Sequence, residues 1–173
     1  GPPWDGMPNT FPLPDEIETA FSLCHRRGFK VVAHGGGIDG IKASVQAGAY
    51  TLEHGYMLDD EGVSMMVEKG TYYVPTIAVT HLNRGPEYAA SDYEREWAVA
   101  HPIREEYRQR AIAAAEAHAE GFRKAVKAGV KIASGSDLAL PDGGLLEIGM
   151  LVRCGMSEWQ AIVAATQTAA EVC

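Results

Sequence analysis

Helically spaced apolar positions alternate with short β-rich runs along this chain, and a glycine stands at each of four changeovers. Helical periodicity over residues 15–27 stops at Gly28, and Phe29-Lys30-Val31-Val32-Ala33 then leads to His34. Gly48 opens a run over 49–53 that reaches His54, and Gly70 opens Thr71-Tyr72-Tyr73-Val74-Pro75, which reaches Thr76. Gly129 precedes Val130-Lys131-Ile132-Ala133-Ser134, with Asp137 shortly beyond. Glycine just past a helix accepts the left-handed conformation that ends it and releases the chain into an extended segment. Helix then strand, repeated, implies parallel pairing through helical crossovers. These crossovers are expected at 38–47, at 59–69 and within 87–128, where Pro102 should split a long stretch into two helices. Further helices are expected at 145–153 and 157–172, the second opening on a Ser157-x-x-Gln160 capping box. No linker is visible, so residues 1–173 read as one unit.

Composition narrows the partners. Fifteen Lys plus Arg against 23 Asp plus Glu give a net charge of −8, and no basic cluster exceeds Arg26-Arg27. Nucleic acid and anionic membrane surfaces are therefore poor partners. No apolar run approaches the roughly 20 residues of a membrane-spanning helix, so a soluble chain is expected. Cys24, Cys154 and Cys173 are odd in number and widely spaced, which argues against a disulfide scaffold and for a reducing, cytoplasmic setting. The opening Gly1-Pro2-Pro3-Trp4 carries no feature of a secretory leader.

Four β-α units suit either an open doubly wound sheet or part of a (β/α)₈ barrel. The doubly wound reading wants a glycine-rich phosphate loop. Gly35, Gly37 and Gly40 have its spacing, and Glu53 lies where a ribose contact would stand. His34 directly before that loop is foreign to the motif. His34, His54 and Asp137 all fall at the C-terminal ends of expected parallel strands, where both folds assemble their sites. Neighbouring strand ends lie about 5 Å apart, so two imidazoles and a carboxylate there suit a divalent metal, most simply Zn²⁺, that activates a water. The plainer alternatives are histidines bonding local backbone and Asp137 as a turn residue or helix N-cap.

Other residues carry weaker signals. His81 and Arg84 follow the third run closely enough to reach the same face, Arg84 as a carboxylate clamp. Tyr56 follows the His54-Gly55 turn, and Glu147 sits early in the helix after Asp137. His25 and His118 lie in helical stretches with charged neighbours and read as solvated, while His101 before Pro102 reads as a turn residue. No G-x-S-x-G elbow and no Cys–His arrangement supports covalent catalysis.

Val31-Val32-Ala33-His34-Gly35, Leu52-Glu53-His54-Gly55 and Gly135-Ser136-Asp137 resemble three metal-site motifs of the amidohydrolase superfamily. The segment from Glu68 to Thr76, together with Ala164-Ala165-Thr166 and Ala169-Ala170-Glu171, is similar to the branch holding imidazolonepropionase-like and Xaa-Pro dipeptidase-like enzymes. The resemblance covers nearly the whole chain. It implies an α/β fold that is a partial TIM (β/α)₈ barrel, strands five to eight with their helices. His34 and His54 would be the metal ligands of strands five and six. Asp137 would be the strand-eight carboxylate that contacts metal and shuttles the proton, and Thr76 would close strand seven.

The family's first half carries an H-x-H pair and often a carboxylated lysine, and neither motif is in this sequence. The chain is therefore expected to be the C-terminal half of a catalytic domain, in need of its N-terminal half or a second copy. Deaminase members place a Glu three residues after the first of these histidines. Gly37 stands there, which disfavours deamination. Gly36 likewise replaces a tyrosine that some dipeptidase-like members carry. The resulting expectation is hydrolysis of an amide or peptide bond, in a small-molecule or peptide substrate, by metal-activated water. The alternative is a non-catalytic half-barrel that assembles with a partner chain.

Overall fold

The computed structural model describes residues 12–138 and 142–173. The elements are α1 (Pro14–His25), β1 (Val32–Gly35), α2 (Ile38–Gln46), β2 (Thr51–His54), α3 (Asp60–Lys69), β3 (Tyr72–Val74) and α4 (Ile77–Leu82), then α5 (Asp92–Ala100), α6 (Glu105–Ala128), α7 (Gly143–Arg153), α8 (Glu158–Val163) and α9 (Ala169–Val172). A 3₁₀ turn at Pro86–Tyr88 joins α4 to α5, and a π-helical turn at Ala164–Thr168 joins α8 to α9. All four changeover glycines are left-handed, with φ between 71° and 90°. Pro102 lies in the break between α5 and α6, and the Ser157 capping box is formed.

The three strands pair in parallel in the order β1-β2-β3. The expected fourth strand is reduced to a single parallel bridge, Tyr73 to Ile132. Its backbone is drawn elsewhere almost at once, because Ser134 N–H donates to the Ala164 carbonyl at 2.9 Å. The position of that bridge separates the two fold readings. In a doubly wound sheet the order reverses and a fourth strand returns beside the first; here the fourth segment continues outward from β3. The sequence also hid α4, a six-residue helix whose turns are apolar nearly all round.

Helices pack in chain order on one face of the sheet: α1 on α2, α2 on α3, α3 on α6, with α4 between α6 and α7. Leu52 and Tyr73 from the strands meet Ile41, Met66, Ile77, Phe122, Met150 and Leu151 from the helices, all fully buried. Gly35 faces this layer, since a Cβ there would meet Leu52 and Ile41. On the other face Thr51, Tyr72 and Val74 are buried, whereas Val32 of the outermost strand is 57% exposed and His34 is exposed. A parallel sheet with one helical layer, wound in one direction, is the architecture of a partial barrel. Among the described residues no helix is long and apolar enough to cross a membrane.

Candidate active site

Three non-glycine residues among those described have positive φ: His54 (69°), Thr76 (51°) and Asp137 (52°). Each stands at or just past the C-terminal end of a strand or, for Asp137, of the Ile132 bridge. Left-handed backbone costs an L-residue about 1–2 kcal/mol, and a β-branched threonine is a genuine outlier there. Such strain persists only where surrounding contacts hold it, and it clusters at functional sites.

The conformation of His54 decides what its imidazole touches. Register pairs His34 with Glu53 and Gly35 with His54, so strict alternation would place the two histidines on opposite faces. The left-handed turn breaks the alternation. His54 Nε2 lies 2.8 Å from His34 Nδ1, and His54 Nδ1 lies 2.7 Å from Thr76 Oγ1. With Nδ1–H donating to Thr76, the Nε2 lone pair is directed at His34. Burial pushes the His54 pKa below its ordinary value, His34 adds to this, and Asp137 opposes it, so the ring is neutral near pH 7, as a metal ligand must be.

Asp137 lines a cleft of about 280 Å³ together with Tyr56, Thr80, Asn83, Tyr107 and Arg110. It is not the cap of the following helix, because Asp142 occupies the N-cap position of α7. Tyr56 stacks flat on His54, with centroids 5.2 Å apart and 4° between planes, and it makes a T-shaped contact with His118 at 5.0 Å. Burial, reinforced by Asp137, pushes the Tyr56 hydroxyl up to about 12, so it remains a donor. Glu53 shares the face of His34; burial raises its pKa while a hydrogen bond from Thr51 Oγ1 at 2.7 Å opposes the rise.

His118 is not solvated. It is fully buried on α6, with Nδ1 3.1 Å from Thr80 Oγ1 and Nε2 without a hydrogen-bond partner among the described residues. Burial lowers its pKa to about 3. The signal was present in the sequence, since position 118 continues the stripe of Ala111, Ala114, Ala115, Phe122 and Ala125 at helical spacing. His25 and His101 are exposed.

Glu147 is fully buried, and its carboxylate accepts hydrogen bonds from Ile77 N at 3.0 Å and Ala78 N at 2.7 Å. It therefore caps α4 across the core, immediately after Thr76. Burial raises its pKa to about 7 despite those two bonds. His81 and Arg84 bond to each other, Nδ1 to Nη2 at 2.8 Å, with Cys154 Sγ 3.9 Å from the far side of the ring. Burial and then Arg84 lower the His81 pKa to about 4. Neither residue lines the Asp137 cleft.

The amidohydrolase family model matches residues 9–173. The chain belongs to this family. It is 34% identical over 161 residues to the ochratoxinase of Aspergillus niger, a match covering 90% of this amidohydrolase chain and 30% of that protein. The crystal structure of that ochratoxinase superposes with a TM-score of 0.76 at 32% identity, covering 97% of this chain and 36% of the other. A Xaa-Pro dipeptidase with bound methionine in its active site gives a TM-score of 0.74 at 31% identity, covering 92% and 37%. The chain thus spans about a third of the length of these relatives.

Amidohydrolases generally use divalent metals. The donor set here fits one in part. Two nitrogens bound to one zinc at 2.0–2.1 Å stand roughly 3.3 Å apart, so the His34 and His54 nitrogens need separate by only about half an ångström. Thr76 supplies the oxygen that a metal-bound histidine usually engages through its second nitrogen. Among the described residues no three His, Cys, Asp or Glu side chains close into a metal-ligating group.

Proposed function

We propose that residues 1–173 are one piece of the catalytic domain of a metal-dependent amidohydrolase, corresponding to barrel strands five to eight, that cleaves an amide or peptide C–N bond. The observation that carries this reading is the convergence of His34 Nδ1 and His54 Nε2 at 2.8 Å, with Thr76 behind His54. His34 and His54 would hold the metal, most simply zinc, with Asp137 as the carboxylate of the set. A metal there supplies Lewis acidity for the scissile carbonyl and for water.

The chain's own residues account for the remaining chemistry. Asp137 takes the proton of the attacking water on a carboxylate oxygen and returns it to the departing nitrogen. Tyr56, protonated and stacked against His54, donates its hydroxyl hydrogen to the substrate. Thr76 keeps the proton of His54 on Nδ1.

A second reading draws on Val32 and His34, exposed on the sheet face at the outermost strand. An open strand edge seeks a partner, so the half-barrel would assemble with the rest of its barrel or with a second copy. Metal analysis separates catalysis from mere assembly. The folded chain should retain about one equivalent of zinc at neutral pH, and His34→Ala and His54→Ala should each release it. Absence of metal from a chain with native circular dichroism defeats the hydrolase reading.

A further inference from the structure

We infer that Arg110, with Asn83 and Tyr107, forms an anion subsite that takes a carboxylate carried by the substrate away from its scissile bond. This deepens the hydrolase reading and rests on it. Val79, Thr80 and Asn83 of α4 and its C-cap face Tyr107, Arg110 and Ala111 of α6 across the cleft that also holds Asp137. Tyr107, Arg110 and Ala111 sit at i, i+3 and i+4, and Asn83 lies three and four residues beyond Thr80 and Val79, so each set is one face of its helix.

Arg110 is the arginine that lines the Asp137 cleft, and like Arg26, Arg27 and Arg84 it enters no ion pair among the described residues. Arg104 pairs with Glu106, Arg108 with Glu87 and Glu105, and Arg123 with Glu116 and Glu120. Among the described residues Arg110 has no carboxylate within ion-pairing distance. Its guanidinium lies 5.3 Å from the Tyr107 ring, half-buried. In a chain of net charge −8, an unpaired cation in a cleft is a place where an anion gains most.

The neighbouring groups favour a carboxylate. Guanidinium presents parallel N–H donors that match its two oxygens. Tyr107 Oη already accepts a hydrogen bond from Arg104 Nη2 at 2.7 Å, leaving the phenol hydrogen to donate. Asn83 adds an amide N–H. Asp137, on the same cleft, repels a second carboxylate, so the substrate lies with its amide toward Asp137 and the histidines and its anionic end toward α6. Arg84 is less suited to the role, since its Nη2 and Nε are already directed at the His81 ring and carbonyl.

Binding tests this without turnover. N-acetyl-L-leucine and N-acetyl-L-leucinamide are titrated into the chain and followed by amide chemical shifts. The acid should bind roughly ten-fold or more tightly than the amide, Arg110→Met should erase the difference, and Arg110→Lys should keep part of it. Equal affinities in the native chain, binding of neither compound, or a preference lost in Arg84→Met yet kept in Arg110→Met overturns the assignment. The readout needs no metal: loss of zinc binding with the preference intact defeats the hydrolase reading alone, and the reverse pattern defeats the subsite alone.

Discussion

His54 and Thr76 end neighbouring strands in the same left-handed conformation and share a hydrogen bond of 2.7 Å between Nδ1 and Oγ1. Several contacts hold this strained pair. The His54 carbonyl accepts the Tyr73 hydroxyl at 2.8 Å, and its ring lies against Tyr56 and His34. The two backbone N–H groups after Thr76 are bound by Glu147. Both strand ends are thus positioned from the core side before any ligand arrives, which is what a preorganised site requires.

Thr76→Val preserves shape and removes the oxygen. It should weaken zinc binding by about 10- to 100-fold, as expected when the partner of a ligating histidine is lost, while Thr76→Ser should restore most of the affinity. Competition with a chromophoric chelator measures both, and unchanged affinity in the valine variant would remove Thr76 from the site.

Glu147 should make stability fall as pH rises. Its folded pKa of about 7 exceeds its ordinary value of 4.5, so the folded state binds the proton more tightly. The stabilisation is complete below pH 4.5 and disappears as pH climbs to 7, a change of about 3 kcal/mol. Urea denaturation across that window, repeated on Glu147→Gln, should show this falling component only in the native chain.

His118 acts in the opposite direction. Its folded pKa of about 3 lies below its ordinary 6.5, so the unfolded chain binds the extra proton. Stability present above pH 6.5 is lost as pH falls toward 3, by on the order of 5 kcal/mol. His118→Phe should shift the acid-unfolding midpoint to lower pH. An unmoved midpoint would show that His118 escapes its buried setting before the chain unfolds.

Gly121 tests how closely α6 must approach the loop carrying Tyr56. A Cβ there would stand 2.6 Å from the Leu58 carbonyl oxygen, and backbone cannot swing aside as a side chain can. Gly121→Ala should cost about 1–3 kcal/mol and disturb the ring contact between Tyr56 and His118. Gly129→Ala meets nothing within 4 Å and is opposed only by its φ of 79°, so about 1 kcal/mol is expected. Denaturation midpoints that rank the two in reverse would refute the close-approach argument.

Local chemistry was legible in the sequence. The left-handed glycines at 28, 48, 70 and 129, the break at Pro102 and the Ser157 cap depend on residues within a turn of one another, and all are present. The order helix, glycine, strand named the fold class for the same reason. Placement of His34, His54 and Asp137 at strand ends also followed from counting along the chain.

What folding alone decided concerns groups far apart in sequence. Ile132 reduced to one bridge, Glu147 capping a helix seventy residues away, His118 packed against Tyr56, and Arg110, without an ion pair among the described residues, on the same cleft as Asp137 all depend on which helix faces lie against each other. The sequence set His34 and His54 at neighbouring strand ends, yet the register of β1 and β2 puts them on opposite faces. A single backbone angle, held by packing from β3 and α7, reversed it. Sequence specifies what each residue prefers locally; burial and close packing between distant segments determine which preferences are overridden.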